Sequence, residues 1–377
     1  MKSLCETGGN VKLNLKDLMK KAARSIVTRS ACLRVGAMSS VLIICGKHNS
    51  AFAEYLVAEC YSEHVSPHLW MWDENLLPRK GRIFAETVTA KIPKHTRSLL
   101  QDSDLVIWLT QFENPKNAKD ELGTAVCSFW DEVYEVVRGK SLLSVNLFSA
   151  KSIERMGIGY EEYIETFANA VNVDYGKVRR TGSGIRANLD GTKLVTVTDP
   201  NGTDLRFSIE NRRVGVEVGT LEECFMSGKE CEVEIPAGEV YAAPLENSAC
   251  GRLIVDEVRD FGVQKLEMDF ENGRMIGLRA EKGEAEFRDF LEKAQGNRDK
   301  LAEFGMGINH GMKPIGLRIS DEKALGTVHL AIGNNVHLGG KNEASIHIDF
   351  NLYKPTVKAD NEFVMKDGVI MAKMPRR

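Results

Sequence analysis

The segment GTVHLAIGNNVHLGGKNEASIHIDF, residues 326–350, concentrates side chains that can do chemistry. It carries three of the chain's eight histidines, His329, His337 and His347, and closes on a His-x-Asp pair, His347 and Asp349. Side chains of a strand alternate between its two faces. In ASIHIDF, Ile346, Ile348 and Phe350 therefore point one way and Ser345, His347 and Asp349 the other. In TVHLAI, Val328, Leu330 and Ile332 bury one face, while Thr327, His329 and Ala331 share the opposite one. If the two strands are neighbours, two imidazoles and a carboxylate converge. Gly339 and Gly340 between them permit close backbone approach and positive φ. Imidazole with carboxylate suits Zn²⁺, Co²⁺, Mn²⁺ or Fe²⁺. The same residues also make the polar face of a half-exposed strand, and spacing leaves both readings open.

A two-metal hydrolytic centre needs further carboxylates, and two stand in unusual contexts, with a third nearby. Glu239 lies in IPAGEVYAAP, where a loop enters a strand. Glu303 lies in LAEFGMGINHG, read as the end of a helix before a Gly-rich loop. Glu322 lies in SDEKALGTVH, seven residues before His329. Taken singly, Glu239 and Glu303 also read as surface carboxylates. His310 and His337 read as loop histidines. His48, His64, His68 and His95 have no carboxylate pattern beside them and read as structural.

The elements that must position these residues fall into two styles. Residues 14–35 have helical periodicity behind Asn14 as a candidate N-cap. VLIIC (41–45), HLWMW (68–72), DLVIWL (104–109) and KSLLSVNLF (140–148) read as strands, with helices over 50–63 and around 117–138. Strands alternating with helices predict a mainly parallel sheet covered on both faces. No GxGxxG follows the first strand, so a dinucleotide cofactor is not supported. From about residue 190 the style changes. KLVTVTDPNGTDLRFSIE (193–210) has an Asp-Pro-Asn-Gly turn between alternating runs, and Asp367-Gly368 is a second hairpin signal. The spacing predicts one helix, over about 282–304. The fold class read from this pattern is an α/β N-terminal domain, residues 1–190, followed by an α+β, β-rich C-terminal domain, residues 191–377. The charged, Gly-containing stretch 174–192 reads as the linker.

Composition agrees with two ordinary globular domains. The chain has 377 residues, more than one core usually serves. It is 43% hydrophobic and 27% charged. A net charge of −3 and a pI of about 6.3 argue against a nucleic-acid partner, which needs a basic face. The eight cysteines are scattered without a CxxC, as expected of small buried hydrophobes in a reducing compartment. No run approaches the ~18 uncharged apolar residues of a membrane span, and the first residues lack a signal peptide's apolar core. The expectation is a cytoplasmic protein with no membrane partner.

Four segments together resemble one family: IPAGEVYAAPLENSACGRLIVD (235–256), LAEFGMGIN (301–309), DEKALGTVHLAIGNN (321–335) and GGKNEASIHIDF (339–350), with PNGTDLRF (200–207) as weaker support. They look like the aminopeptidase T / aminopeptidase S family of dinuclear metallopeptidases, including its shorter leucyl-aminopeptidase-like members. The resemblance covers most of the second half; the first half matches only in style. It implies that Glu239, Glu303, His329, His347 and Asp349 bind two divalent ions (Zn, Co or Mn), that a peptide or small amide is the substrate, and that the protein is a homodimer; a carboxylate not fully engaged by metal, Glu303 or Glu322, would then move the proton. One position departs: those aminopeptidases have a tyrosine seven residues after the histidine equivalent to His329, and here it is Val336, with Tyr353 or His337 as replacements. A second branch, the ring-cleaving dihydroxypyridine dioxygenases with one Fe²⁺, looks similar overall. It keeps the His-x-Asp pair, has a histidine in place of the Glu303 carboxylate and lacks the GEV glutamate. This sequence sides with the hydrolases. A relative that binds metal without turnover is the third reading.

Overall fold

The apolar run VLIIC forms the centre of β1 (Ser40–Gly46), and both of its faces are covered. Val41, Ile43 and Cys45 pack into one hydrophobic cluster, Leu42 and Ile44 into another. A strand buried on both faces reads as an unbroken apolar run, which is why no alternation is visible there. The computed structural model describes residues 14–29, 40–73, 94–109, 132–137, 141–221 and 231–372. Around β1 lie β2 (Ser66–Trp72), β3 (Leu105–Leu109) and β4 (Ser141–Val145), all parallel. Helices α1 (Leu15–Arg29), α2 (Ser50–Ser62), α3 (Lys94–Asp102), α4 (Ala150–Arg155) and α5 (Tyr160–Val171) accompany this sheet. Of the helices read at 14–35 and around 117–138, only 14–29 and a helical stretch at 132–137 fall within the described residues. Cys45 and Cys60 are free and buried, as expected, and burial pushes both thiols up to about 11. Cys250 is free but exposed. The other five cysteines lie outside the described side chains.

The stretch 174–192 is not a linker. Asp174 accepts a hydrogen bond from the Lys177 N–H and caps α6 (Tyr175–Leu189), whose Val178, Ile185 and Leu189 are buried in the core of the second half. Its glycines serve packing: a Cβ at Gly182 would overlap Val216.

Then follow β5 (Leu194–Thr198), β6 (Asp204–Ser208), β7 (Gly215–Glu217), β8 (Cys231–Ile235) and β9 (Glu239–Ala242). The long strands β10 (Cys250–Val258), β11 (Val263–Glu271) and β12 (Arg274–Arg279) come next, then α7 (Glu284–Lys293). The helix expected over 282–304 stops at Lys293. Residues Leu301–Gly307 form β13, because Gly296 turns the chain at φ +77° and the period changes to two. The short helix α8 (Arg318–Asp321) leads to β14 (Thr327–Gly333), β15 (His347–Tyr353), β16 (Thr356–Ala359), β17 (Glu362–Lys366) and β18 (Val369–Ile370).

These strands make two antiparallel sheets. One has the order β12-β11-β10-β6-β5-β16-β17-β18, the other β15-β14-β13-β9-β7. Both expected hairpins are present: β5 pairs with β6 across Asp-Pro-Asn-Gly, and β17 with β18 across Asp367-Gly368, both at positive φ. Val195, Leu205 and Phe207 of one sheet and Phe304, Leu330 and Phe350 of the other belong to one core cluster. The fold class is thus a parallel α/β part followed by a β-rich part. The parallel sheet nevertheless takes its fifth strand from beyond residue 190: β8 lies parallel to β4, giving the order β2-β1-β3-β4-β8.

Candidate metal centre

The five-stranded sheet carries a row of polar side chains on the face turned away from its core. Register fixes the row. Glu217 lies opposite Glu239, Glu239 opposite Gly307, Gly305 opposite His329, and Ala331 between Glu303 and Asp349. His347 pairs with Gly333. Every strand of the sheet thus contributes to one surface, while Val240, Phe304, Met306, Val328, Leu330, Ile348 and Phe350 anchor the other. β14 and β15 are neighbours, the condition for His329, His347 and Asp349 to converge. Glycine makes room on the polar face, since a Cβ at Gly305 would overlap the His329 imidazole.

Glu303 is the centre of the row. Its Oε1 lies 3.4 Å from His329 Nε2, and its Oε2 lies 3.0 Å from His347 Nε2. His329 Nε2 is also 3.3 Å from Glu239 Oε2, and His347 Nε2 is 3.3 Å from Asp349 Oδ1. The structure therefore brings together all five donors expected from the sequence. Glu303 and His329 are 5% and 1% exposed. Burial opposes charge on both rings, but the carboxylates overcome it, pushing His329 up to about 9 and His347 up to about 11. Against the cost of burial, the same two rings hold Glu303 well below the usual carboxylate range, and His347 lowers Asp349. In the absence of a cation, protons on the imidazoles balance the acids.

The donors are oriented from behind. His347 Nδ1–H donates to the Asn334 carbonyl at 2.7 Å, which turns Nε2 toward Glu303 and Asp349. Arg318 reaches Asp349 Oδ2 at 3.4 Å and pairs with Asp260 at 2.9 Å. Asn309, fully buried, donates to the Ala170 and Ala237 carbonyls, and its backbone N–H donates to the Lys323 carbonyl. It thereby ties α5, the approach to Glu239 and the segment after α8 to one another. Glu239 Oε2 is buried without a hydrogen-bond partner. A buried acceptor left open beside two imidazole nitrogens, one of them oriented by a carbonyl, fits a divalent cation.

A cavity of about 610 Å³ opens over this row. Glu322 lines it, buried, with Oε2 lacking a hydrogen-bond partner, and burial holds this carboxyl well above the ordinary range. His337, read from the sequence as a loop histidine and as a replacement for the missing tyrosine, and Lys323, which the sequence reading left aside, also line it. His337 stands in the turn Val336–Leu338 with its ring centroid 5.1 Å from that of His347, close enough to be a donor with Glu303 and His347. Lys323, 4% exposed, sends its ammonium to Glu239 Oε1 at 2.7 Å. Nothing in SDEKALG marked that lysine, since a lysine after two acids reads as surface. Val336 itself is 48% exposed. Tyr353 does not fill the missing tyrosine's place: its hydroxyl donates to Asp321 at 2.7 Å.

The family model described as thermophilic metalloprotease (M29) matches residues 174–368, which include every one of these donors. The chain belongs to the M29 metalloprotease family. A curated relative is aminopeptidase AmpS of Bacillus subtilis (strain 168), 26% identical over 189 residues. That alignment covers 44% of each protein, so the chain spans less than half the length of the curated relative it matches. Among solved structures, wild-type AmpT from Thermus thermophilus superposes with a TM-score of 0.68 at 17% identity, covering 95% of this chain and 100% of that one. The 2,5-dihydroxypyridine dioxygenase from Pseudomonas putida KT2440 superposes with a TM-score of 0.61 at 14% identity, covering 96% and 99%. Both share the fold of this M29 member. Among the described residues, no helix is long and apolar enough to cross a membrane.

Proposed function

We propose that this M29 member is a metal-dependent aminopeptidase-type hydrolase that cleaves the amide at the free amino end of a peptide or amino-acid derivative. The observation that carries the reading is the placing of Glu303 between His329 and His347, one carboxylate oxygen toward each. This supports two adjacent cation positions, Glu239, Glu303 and His329 at one, Glu303, His347 and Asp349 at the other, for Zn, Co or Mn. Ions bound there would supply Lewis-acid polarisation of the scissile carbonyl and a water acidic enough to attack near neutral pH.

The chain's own residues do the rest. Arg318 and the Asn334 carbonyl hold Asp349 and His347 in place. Glu303 has both oxygens committed to imidazoles, whereas Glu322 keeps a free buried oxygen over the cavity. Glu322 is therefore the better placed of the two to relay a proton from the attacking water to the leaving amine. β8, through Glu232 and Glu234, lines one side of the cavity. A homodimer is proposed from the resemblance.

Metal analysis of the purified protein with a screen of amino-acid amides and short peptides tests the reading. Two Zn, Co or Mn ions per chain with metal-dependent release of the first residue are expected. One iron with oxygen consumption would move the assignment to ring-cleaving dioxygenase. Bound metal without turnover of any amide would leave a non-catalytic relative.

A further inference from the structure

Among the described residues, Lys323 is the one cation set deep among the acids of this centre whose role the two-ion scheme leaves unassigned. Its ammonium is 2.7 Å from Glu239 Oε1, 3.4 Å from Glu322 Oε1, 3.5 Å from Glu217 Oε2 and 3.8 Å from Glu234 Oε2. These four carboxylates come from separate places: β9, the turn after α8, β7 and β8. The side chain is 6% exposed, so it cannot swing into solvent, and its backbone carbonyl is held by Asn309. The position is therefore built.

Glu239 is divided by this arrangement. Oε1 faces the ammonium, while Oε2 has no hydrogen-bond partner and faces His329 at 3.3 Å. A carboxylate free on both oxygens can grip a cation with two of them. One whose outer oxygen is paired with a lysine offers only the other. The ammonium also adds a like charge beside any ion at Glu239, which weakens that ion's hold.

We propose that Lys323 is a positioning residue that restricts Glu239 to a single donor oxygen, and so leaves the ion beside Glu239 and His329 under-coordinated, with a position open to substrate. The inference rests on the metal-hydrolase reading above. Catalytic metal sites differ from structural ones in keeping such an open position. Here a neighbouring lysine keeps it open, rather than a shortage of carboxylates, which this cavity has in excess. Glu217 and Glu234 are engaged elsewhere: one oxygen of each faces the ammonium, at 3.5 and 3.8 Å, and the Glu234 N–H donates to the other oxygen of Glu217.

The test is a stepwise cation titration by calorimetry, with the visible spectrum of the Co²⁺-loaded protein, on wild type, Lys323→Met and Lys323→Arg. In Lys323→Met one binding step should tighten by at least about tenfold while the other stays unchanged, because a like charge has gone. The Co²⁺ bands should weaken, as they do when coordination number rises. kcat on any amide found by the screen should fall more than KM changes. Lys323→Arg should keep the wild-type titration and spectrum. If Lys323→Met does not fold, Lys323→Gln, neutral and still a donor, gives the same reading. Unchanged steps and spectrum in the neutral variant would overturn the proposal, and so would loss of binding at that step, which would make Lys323 a support and not a restraint. Either result leaves the hydrolase reading intact. Wild-type protein that takes up no Zn²⁺, Co²⁺ or Mn²⁺ would overturn both.

Discussion

Gly305 and His329 face each other across the β13–β14 ladder, and the imidazole fills the space that a side chain at 305 would need. A methyl group there has nowhere to go, because the sheet behind is packed core. Gly305→Ala should displace His329, weaken metal binding by about 10–100-fold and cost about 1–3 kcal/mol of stability. Metal titration and thermal melting of the variant check both.

Chelation should lower stability without unfolding the chain. The donors sit on strands anchored by a continuous core, so the sheet survives without an ion, although with its acids crowded. An ion present at a hundredfold over its Kd adds about 2.7 kcal/mol, which a chelator removes. A melting temperature that does not respond to chelator and added Zn²⁺ or Mn²⁺ would count against the site. His347→Ala or Asp349→Asn should abolish hydrolysis while leaving the far-ultraviolet circular dichroism unchanged.

Glu322→Gln separates proton transfer from metal binding. Glu322 lines the cavity but is not among the five donors, so the variant should keep its metal and lose about 10²–10⁴-fold in kcat. Equal activity in the variant would return the proton step to Glu303.

The clamp behind the His337 turn should make stability fall in acid. Arg212 donates to both oxygens of Glu246 at 2.7 and 2.6 Å, and to the Gly339 carbonyl, and the Lys341 N–H donates to Glu246 at 2.7 Å. Burial raises the Glu246 pKa, but these donors outweigh it and hold the carboxyl below its ordinary value of 4.5. A depressed folded pKa stabilises the fold fully above the unfolded pKa, and the gain is lost as pH falls through the folded value. Glu246→Gln should therefore cost about 1–2 kcal/mol near neutral pH, and urea titrations should find the difference from wild type vanishing in strong acid.

Much of the centre was legible because it follows a period of two. His347 and Asp349, and His329 beside them, could be placed on one face from alternation with Ile348, Phe350, Val328 and Leu330. Glu303 was named as a donor by the resemblance alone and was set on a helix, because the apolar residues of 284–293 ran on into LAEF and masked the change of period at Gly296. Gly305 and Gly307 then read as a loop, although Glu303, Gly305 and Gly307 alternate with Phe304, Met306 and Ile308 as a strand should. Lys323 was not legible, since what makes it part of the cavity is the arrival of β7, β8 and β9 from far along the chain. The Arg- and Gly-rich stretch of α6 misled for a related reason: its glycines mark close helix–sheet packing, which local composition cannot tell from a linker.

The crossing of β8 bears on how this protein can be taken apart. A fragment beginning near residue 191 would carry every donor, yet it would also carry Cys231–Ile235 without the ribbon it was made to lie beside. A bare strand of that kind invites pairing with other chains. The first 190 residues alone would show the complementary scar along β4. The two halves are thus stitched, and the metal-bearing half is not a cassette that can be transplanted by cutting at the point where the sequence changes style. Any fusion, truncation or permutation that is to keep the cavity closed has to keep both sides of that seam.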